Sequence, residues 1–343
     1  MSVHPAGTAP VSFWGVSEQD NVPRAQGRPG TYEVWFLTFT DRRSGTGYWI
    51  RSTVRTGTSG EGSAGVWFAR FDRADPSRTM GITRVTDESK VAPDGFDVEI
   101  GGSVMHSGAA SGALEGGGHR ATWDLEYRTG DPTYRLLPDA LYRGRLASTK
   151  PFSPNPDTRI TGTITVDDEA VEIREAPAQQ GHLFGSRHAE RWAWAHCSDF
   201  IDADAAVQAL SAKGKLGPFT TPYVTFVGVR WEGRWIRLTK LGRRPDFELG
   251  TWRVDLESRQ YRLTGRIEAP ARDLIRARYR DPDGRPRFCH HTGVASCRLA
   301  LFERRAGALE ELALLESRGS THAEWAGRTP ARATPREFIE ALA

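Results

Sequence analysis

Residues 31–39 read TYEVWFLTF, a run of aromatic and β-branched residues that predicts a β-strand. The turn DRRSGTG follows, and YWIRSTVR at 48–55 predicts the second strand of a hairpin. Further pairs of such runs, each joined by a short turn, predict hairpins at 159–175, 223–241 and 297–317. This pattern is typical of a mainly β protein with antiparallel strands.

Helix signals are few. The segment DADAAVQALSAKG at 202–214 opens with an aspartate cap and ends at a glycine. The segment TPREFIEALA at 334–343 has Thr334 as its cap and Glu337 three residues later, as in a capping box. We expect two short helices there, whereas leucines spaced by three at 309–315 are compatible with either a strand or a helix.

Two motifs occur in the same order in both halves of the chain. GYWIRST at 47–53 and GRWIRLT at 233–239 agree at five of seven positions. TWDLEYRTGDPTYRL at 122–136 is echoed by TWRVDLESRQYRL at 251–263. These echoes predict two copies of one β unit, the first with a longer insertion around 56–121 that we expect to be partly loop.

The proline-rich stretch STKPFSPNPDTR at 148–159 is the predicted boundary between the copies, because proline discourages strand pairing. We therefore predict an N-terminal β domain at residues 1–157 and a C-terminal β domain at 158–343 that ends in a helix. An antiparallel β-barrel is the simplest form for each, since closure removes strand edges and leaves room for one small ligand. Two β-sandwiches are the alternative.

The composition argues against several classes of protein. With 46 basic and 43 acidic residues, the formal charge of +3 gives no reason to expect nucleic acid or an anionic membrane as the partner. No apolar run of about 18 residues and no signal peptide occur, so we expect no stable membrane insertion and a cytoplasmic location. Three cysteines argue against a disulfide framework. Eleven tryptophans suit an apolar cavity, or a thick β core.

No cofactor is expected. The sequence has no Walker loop and no GxGxxG fingerprint in a strand–helix setting, so nothing indicates a nucleotide. The cluster FCHHTGVASC at 288–297 has the residue types of a metal site but matches no standard zinc spacing. We therefore predict no metal centre.

Alternation along one predicted strand groups rings with an imidazole. In RWAWAHC, Trp192, Trp194 and His196 share one face. Such a wall could hold an apolar ligand and exchange a proton with it near neutral pH. The alternative is that the indoles fill a barrel core and His196 bonds to a backbone carbonyl group.

Glu33 shares a strand face with Trp35, where a buried carboxyl group needs either a partner or a proton. Arg51, two residues after Trp49 on the next strand, is the candidate partner, and a purely structural Glu33–Arg51 pair is the alternative. His182 lies between two glycines in GHLFG, which suggests a fixed position. It is a candidate acid, or an ordinary loop histidine.

Together these motifs resemble the carotenoid hydratase and tocopherol cyclase superfamily, whose members carry two lipocalin-like β domains. Glu33-x-Trp35-Phe36 is similar to that family's Glu-x-Trp-Tyr/Phe strand, and RWAWAHC to its Arg/Tyr-x-Trp-x-x-Cys strand. GHLFG resembles the family's Gly-x-His-Asn-Trp-Gly segment, but Leu183 and Phe184 replace the asparagine and the tryptophan. The positioning of the histidine is therefore expected to differ.

The resemblance implies two lipocalin-like antiparallel β-barrels and a cofactor-free enzyme for a hydrophobic isoprenoid or polyene. Such an enzyme protonates an alkene, and hydration or cyclisation follows. Glu33 or His182 would deliver the proton, and His196 would assist. A pericyclase of a polyene and a non-catalytic carrier of hydrophobic ligands are the alternatives. The residues expected to contact the substrate are Trp35, Trp49, Arg51, Phe184, Trp192 and Trp194.

Overall fold

The computed structural model describes residues 16–25, 27–144, 147–216 and 219–341. These residues form two large β-sheets and two short helices, α1 (Val16–Asn21) and α2 (Asp139–Tyr142). The predicted mainly β class with few helices is confirmed. The strands are β1 (Thr31–Asp41), β2 (Thr46–Thr56), β3 (Gly62–Asp72), β4 (Met80–Thr86), β5 (Ser89–Val91), β6 (Asp97–Ile100), β7 (Ser103–His106), β8 (Ala109–Gly116), β9 (His119–Tyr127), β10 (Tyr134–Arg135), β11 (Thr149–Val166), β12 (Glu169–Gly185), β13 (Arg191–Cys197), β14 (Ala205–Lys213), β15 (Lys215–Leu216), β16 (Phe219–Thr220), β17 (Tyr223–Trp231), β18 (Arg234–Gly242), β19 (Phe247–Glu248), β20 (Thr251–Glu257), β21 (Tyr261–Glu268), β22 (Ile275–Arg280), β23 (Pro286–Arg305), β24 (Ala308–Gly327), β25 (Arg336–Glu337) and β26 (Ile339–Glu340).

The first sheet has thirteen strands in the order β26-β4-β3-β2-β1-β12-β11-β9-β8-β7-β6-β5, with β10 paired to β11. The second has eleven, in the order β18-β17-β14-β13-β24-β23-β21-β20-β19, with β22 paired to β23 and β25. In each sheet a four-strand meander adjoins the later strand of a long hairpin, β11–β12 or β23–β24. Neither path of hydrogen-bonded strands closes on itself within the described residues, so the predicted closed barrels are not seen.

The shared strand order supports two copies of one unit. The similar sequence motifs of the two halves, however, do not lie on equivalent strands. GYWIRST lies on β2, the second strand of its meander, whereas GRWIRLT lies on β18, the fourth. The stretch around 56–121, expected to be partly loop, contains β3 to β8 and the start of β9, with turns and short loops between them.

The proline-rich stretch does not interrupt pairing. Pro151, Pro154 and Pro156 all lie within β11, where the register with β12 shifts on either side of Asn155. Such irregularities tolerate residues that lack an N–H group. The chain passes from the first sheet to the second between Gly185 and Arg191, whereas the predicted domain boundary lies after residue 157.

Both predicted helices are wrong. Residues 205–213 form β14, a strand between β13 and β17 whose first five side chains are all buried, so packing on both faces overrides the helix propensity of its alanines. In the C-terminal segment, β25 adds in parallel to β22 and β26 adds in parallel to β4. Residues 342–343 lie outside the described part. The undecided run of leucines belongs to strand β24.

Alternate residues of β1 face two different cores. Trp35, Leu37 and Phe39 pack inside the first sheet. Val34 and Phe36 belong to a third cluster, which also contains residues of the second sheet and therefore lies between the two sheets. This intersheet cluster surrounds an apolar cavity.

Candidate active site between the two sheets

An apolar cavity of about 280 Å³ lies between the sheets. Side chains from β1, β2, β11 and β12 form one side, and side chains from β13, β14, β17, β22, β23 and β24 form the other. Its ionisable lining residues are Arg51, His182, His188, Lys215, Tyr279, His291 and Glu324. Among the described residues, no group of three or more His, Cys, Asp and Glu side chains is arranged to hold a metal ion.

Aromatic rings form much of the wall. The Trp49 ring stacks on His291 with 4.7 Å between ring centroids, and Trp194 meets the edge of Phe36 at 5.8 Å. Trp192 stacks near His188, with 5.7 Å between centroids. As predicted, Trp192 and Trp194 share a face, and this face points into the cavity.

Glu324 is the carboxyl group of the cavity wall, and 17% of its side chain is exposed. Its Oε1 accepts a hydrogen bond from Trp192 Nε1 at 2.7 Å, and its Oε2 accepts one from Cys289 Sγ at 3.0 Å. His291 Nδ1 lies 3.5 Å from Oε2. Burial would raise the pKa of Glu324, but His291 and these two donors outweigh it and lower the pKa. Glu324 is therefore a carboxylate at neutral pH.

His291 and Cys289 stand behind this carboxylate. They alternate on β23, so they share a face, and His291 pairs directly with Glu324 across β23 and β24. Both side chains are buried, and beyond the 3.5 Å contact of Nδ1 with Glu324 Oε2 neither ring nitrogen of His291 has a partner among the described residues. Burial raises the pKa of the Cys289 thiol well above its usual value, so the sulfur keeps its proton.

A second acid–base pair reaches the same cavity through its histidine, because His188 lines the wall whereas Asp281 is buried and lies outside the lining. Asp281 Oδ1 accepts hydrogen bonds from the backbone N–H of His188 at 2.9 Å and from His188 Nδ1 at 2.7 Å. Asp281 also forms an ion pair with Arg287 at 2.8 Å. Burial lowers the pKa of His188 although Asp281 opposes the shift, so the ring is neutral with its proton on Nδ1. Its Nε2 has no partner among the described residues and is free to accept a proton.

Glu33 and His182, the two candidate proton donors, contact each other away from the centre of the cavity. His182 Nε2 lies 2.7 Å from Glu33 Oε1, and its Nδ1 donates to the carbonyl oxygen of Asp20. The ring stacks on Trp35 at 5.1 Å. Glu33 and Trp35 face the core of the first sheet and do not line the cavity, whereas His182 lies at its wall. Both ring nitrogens of His182 are thus occupied.

The predicted Glu33–Arg51 contact is wrong. Glu33 instead accepts hydrogen bonds from the backbone N–H groups of Arg24 and Ala25, at 2.8 Å each for the shortest contacts. Arg51 lies on the other face of its sheet, where it lines the cavity beside Trp49. The carboxylate of Glu33 therefore anchors the segment that follows α1 to β1.

His196 and Phe184 do not line the cavity. His196 Nε2 donates to the carbonyl oxygen of Pro156 at 3.0 Å, and burial lowers the pKa of His196 to about 4. This is the structural alternative considered for His196 above. The Phe184 ring stacks on Phe152 at 6.0 Å and lies near the Lys150 ammonium group. Of the predicted residues, Trp49, Arg51, His182, Trp192 and Trp194 meet at the cavity.

Sequence reasoning missed the two acid–base pairs at the cavity and the thiol group beside one of them. Cys289 and His291 lay within FCHHTGVASC, which was considered only as a metal site. Their alternation on a strand could have indicated a shared face. Asp281 and Glu324 follow no motif that a single sequence displays, because their partners are distant in the chain.

Three comparisons relate the chain to known proteins. Residues 156–326 match the family model described as tocopherol cyclase-like, which confirms the predicted resemblance. An uncharacterized protein of Mycobacterium tuberculosis strain H37Rv is 24% identical over 326 residues, which cover 94% of each chain. A crystal structure from Nitrosomonas europaea that carries the name AttH has a TM-score of 0.53 and 14% identity, and it covers 91% of this chain and 96% of its own. It shows a shared fold.

A structure of kievitone hydratase from Nectria haematococca is also similar, with a TM-score of 0.45 and 12% identity over 92% of this chain and 93% of that one. Separately, no helix among the described residues is both long and apolar enough to cross a bilayer.

Proposed function

We propose, on the premise that residues 156–326 belong to the tocopherol cyclase-like family, that the chain is a cofactor-independent enzyme of the cyclase or hydratase type. Its substrate is a hydrophobic isoprenoid or polyene that binds between the two sheets. The observation that carries this proposal is an apolar cavity whose aromatic wall contains the Glu324–His291 pair and, separately, His188, which the buried Asp281 holds from behind.

The proton originates on the Glu324–His291 pair. Before reaction the pair takes up one proton from solvent, which is held on either side of the 3.5 Å between Glu324 Oε2 and His291 Nδ1. A bound hydrocarbon excludes water and lowers the local dielectric, which favours two neutral partners over two charged ones. Glu324 would then hold the proton as an acid, and its partly exposed carboxyl group is the one that can reach an alkene carbon.

Protonation uses the π electron pair to form one C–H bond and leaves a cation on the other alkene carbon. The proton leaves Glu324 as a carboxylate beside that cation, so the donor becomes the counter-ion. The indole faces of Trp49, Trp192 and Trp194 add cation–π stabilisation of about 0.5 to 2 kcal/mol each.

The cation is trapped by the oxygen of water or of a substrate hydroxyl group, which forms a C–O bond. The oxygen then loses a proton, and His188 Nε2 is placed to accept it because Asp281 holds the ring by Nδ1. Solvent returns the proton to the His291 side after product leaves. Neither Glu33 nor His182 has a place in this scheme, since the ring nitrogens of His182 already bond to Asp20 and Glu33.

The test is product formation from acyclic isoprenoids in D₂O. The panel contains farnesol, geranylgeraniol and the corresponding carboxylic acids. We expect a hydrated product or a cyclic isomer that carries one deuterium on carbon, and Glu324→Gln should lower turnover by about a hundredfold or more, as for loss of a general acid. Glu310→Gln is the matched control, because Glu310 lies on the same strand with an exposed side chain.

Other outcomes would contradict the proposal. A product without solvent deuterium would indicate a pericyclase. Recovery of every ligand unchanged after long incubation would indicate a carrier. Turnover of Glu324→Gln equal to that of Glu310→Gln would remove Glu324 from the mechanism.

A further inference from the structure

Arg51 differs from the other buried arginines. Among the described residues, three arginines are less than a tenth exposed: Arg51 at 6%, Arg70 at 6% and Arg287 at 1%. Arg70 pairs with Asp72 and Glu169, and Arg287 pairs with Asp281. Arg51 has no carboxylate within 4.0 Å in the described part of the chain, so its buried charge makes no ion pair in direct contact.

The surroundings of Arg51 satisfy only part of its side chain. Its Nε donates to Thr53 Oγ1 at 2.9 Å. The guanidinium group lies over the Tyr279 ring, 4.0 Å from the centroid, with Trp49 and Trp67 near 6 Å. Ring faces attract the charge but accept no conventional hydrogen bond, so the N–H groups of the two Nη atoms have no acceptor among the described residues.

An isolated buried charge is costly, and a guanidinium group with two free Nη atoms matches a carboxylate in a bidentate pair. Arg51 lines the cavity, as does Lys215, whereas Glu324 is the carboxylate of its wall. Apart from its histidines, the charged side chains of the lining are Arg51, Lys215 and Glu324, and the Glu324 carboxylate already accepts hydrogen bonds from Trp192 and Cys289.

We propose that the cavity binds an amphipathic acid, a long unsaturated apolar chain whose terminal carboxylate pairs with Arg51. This inference rests on the proposed function, because it names the class of substrate for the same cavity. The chain lies along the tryptophan wall and the head group lies beside Tyr279. Arg51 is then a residue that determines substrate specificity, whether or not the ligand reacts.

The experiment measures binding of cis-parinaric acid, a fluorescent polyene carboxylic acid, and of its methyl ester. Energy transfer from protein tryptophan reports occupancy of the full-length protein. We expect the acid to bind at least about tenfold more tightly than the ester, as for a charge-assisted bidentate pair in an apolar site. Arg51→Met, which keeps the apolar stem, should abolish this preference and leave ester binding unchanged.

Two further variants serve as controls. Arg51→Lys keeps the charge and should retain part of the preference for the acid. Arg237→Met should retain all of it, because Arg237 also lies over a tyrosine ring, that of Tyr134 at 4.9 Å, but is exposed and outside the cavity. A thermal melt of each variant checks that it is folded.

Equal affinity of the wild-type protein for acid and ester would overturn the inference and leave the proposed apolar site intact. A preference that survives in Arg51→Met would overturn it as well. Binding of neither compound would refute both the inference and the proposed function, since the cavity would then not be a site for apolar chains.

Discussion

Substitutions of Glu33 test whether this residue is a structural anchor or takes part in the reaction. The Glu33 carboxylate is fully buried and bonds to the N–H groups of Arg24 and Ala25 and to His182 Nε2. Glu33→Ala leaves these three groups without their acceptor. Breaking one side of a buried ionic pair typically costs about 3 to 5 kcal/mol, and we expect Glu33→Ala to lower the free energy of unfolding by about that amount.

Glu33→Gln should cost less. Its amide oxygen can still accept from the backbone N–H groups, while its NH₂ group can donate to a neutral His182. Only the charge assistance is lost, so we expect about 1 to 2 kcal/mol and turnover within a few fold of the wild-type value.

Urea unfolding measures these free energies, and limited trypsin digestion at Arg24 and Arg28 reports whether the anchored segment is released. Glu172→Ala, also on the first sheet but with 60% of its side chain exposed, is the control and should change stability by less than about 0.5 kcal/mol. A Glu33→Ala variant as stable as this control would refute the anchoring role. A Glu33→Gln variant that is stable but about a hundredfold slower would show that Glu33 acts in the reaction.

Two other predictions concern stability. Burial lowers the pKa of His196 from 6.5 to about 4. As pH falls, this histidine therefore takes up a proton in the unfolded chain before it does so in the folded protein. The stability that neutral His196 contributes is complete above pH 6.5 and is lost towards pH 4. The loss amounts to about 3 kcal/mol of the free energy of unfolding. Urea unfolding between pH 6.5 and 4 should therefore show a shallower pH dependence of this free energy for His196→Gln than for the wild type, and equal slopes would contradict the prediction. A Cβ atom on Gly47 would lie 2.5 Å from the carbonyl oxygen of Gly293 on the other sheet. Gly47→Ala should therefore destabilise the protein by about 1 to 3 kcal/mol, while Gly62→Ala, which meets open space, should have little effect; equal unfolding midpoints would show that the sheets adjust freely.

Local pattern was sufficient for most of the strands. The alternation at 31–39 and 48–55 identifies β1 and β2, since each strand carries the information in its own residues. The segment at 202–214 failed because its alanines suit either structure, and only its neighbours β13 and β17 decide for a strand. The C-terminal segment failed for the same reason, as its two short strands exist through pairing with β22 and β4.

The site was predicted in part. Alternation placed Trp192 with Trp194, and Trp49 with Arg51, correctly on shared faces. It could not decide which face of β1 looks towards the second sheet, because Glu33 and Trp35 on one face and Val34 and Phe36 on the other are all buried. His291 and Glu324 meet through long-range pairing of β23 and β24, which no local spacing reveals.

The C-terminal segment restrains how the two sheets can move. Arg336 and Glu337 are hydrogen-bonded into one sheet, Ile339 and Glu340 into the other, and the Phe338 ring between them lies against Trp49 and Trp67. A movement of the two sheets apart as rigid bodies would have to break the pairing of β25 with β22 and of β26 with β4. The molecule should therefore be stiff along this seam, and exchange of bound material should proceed by local rearrangement of side chains and loops, at a rate set by their fluctuations.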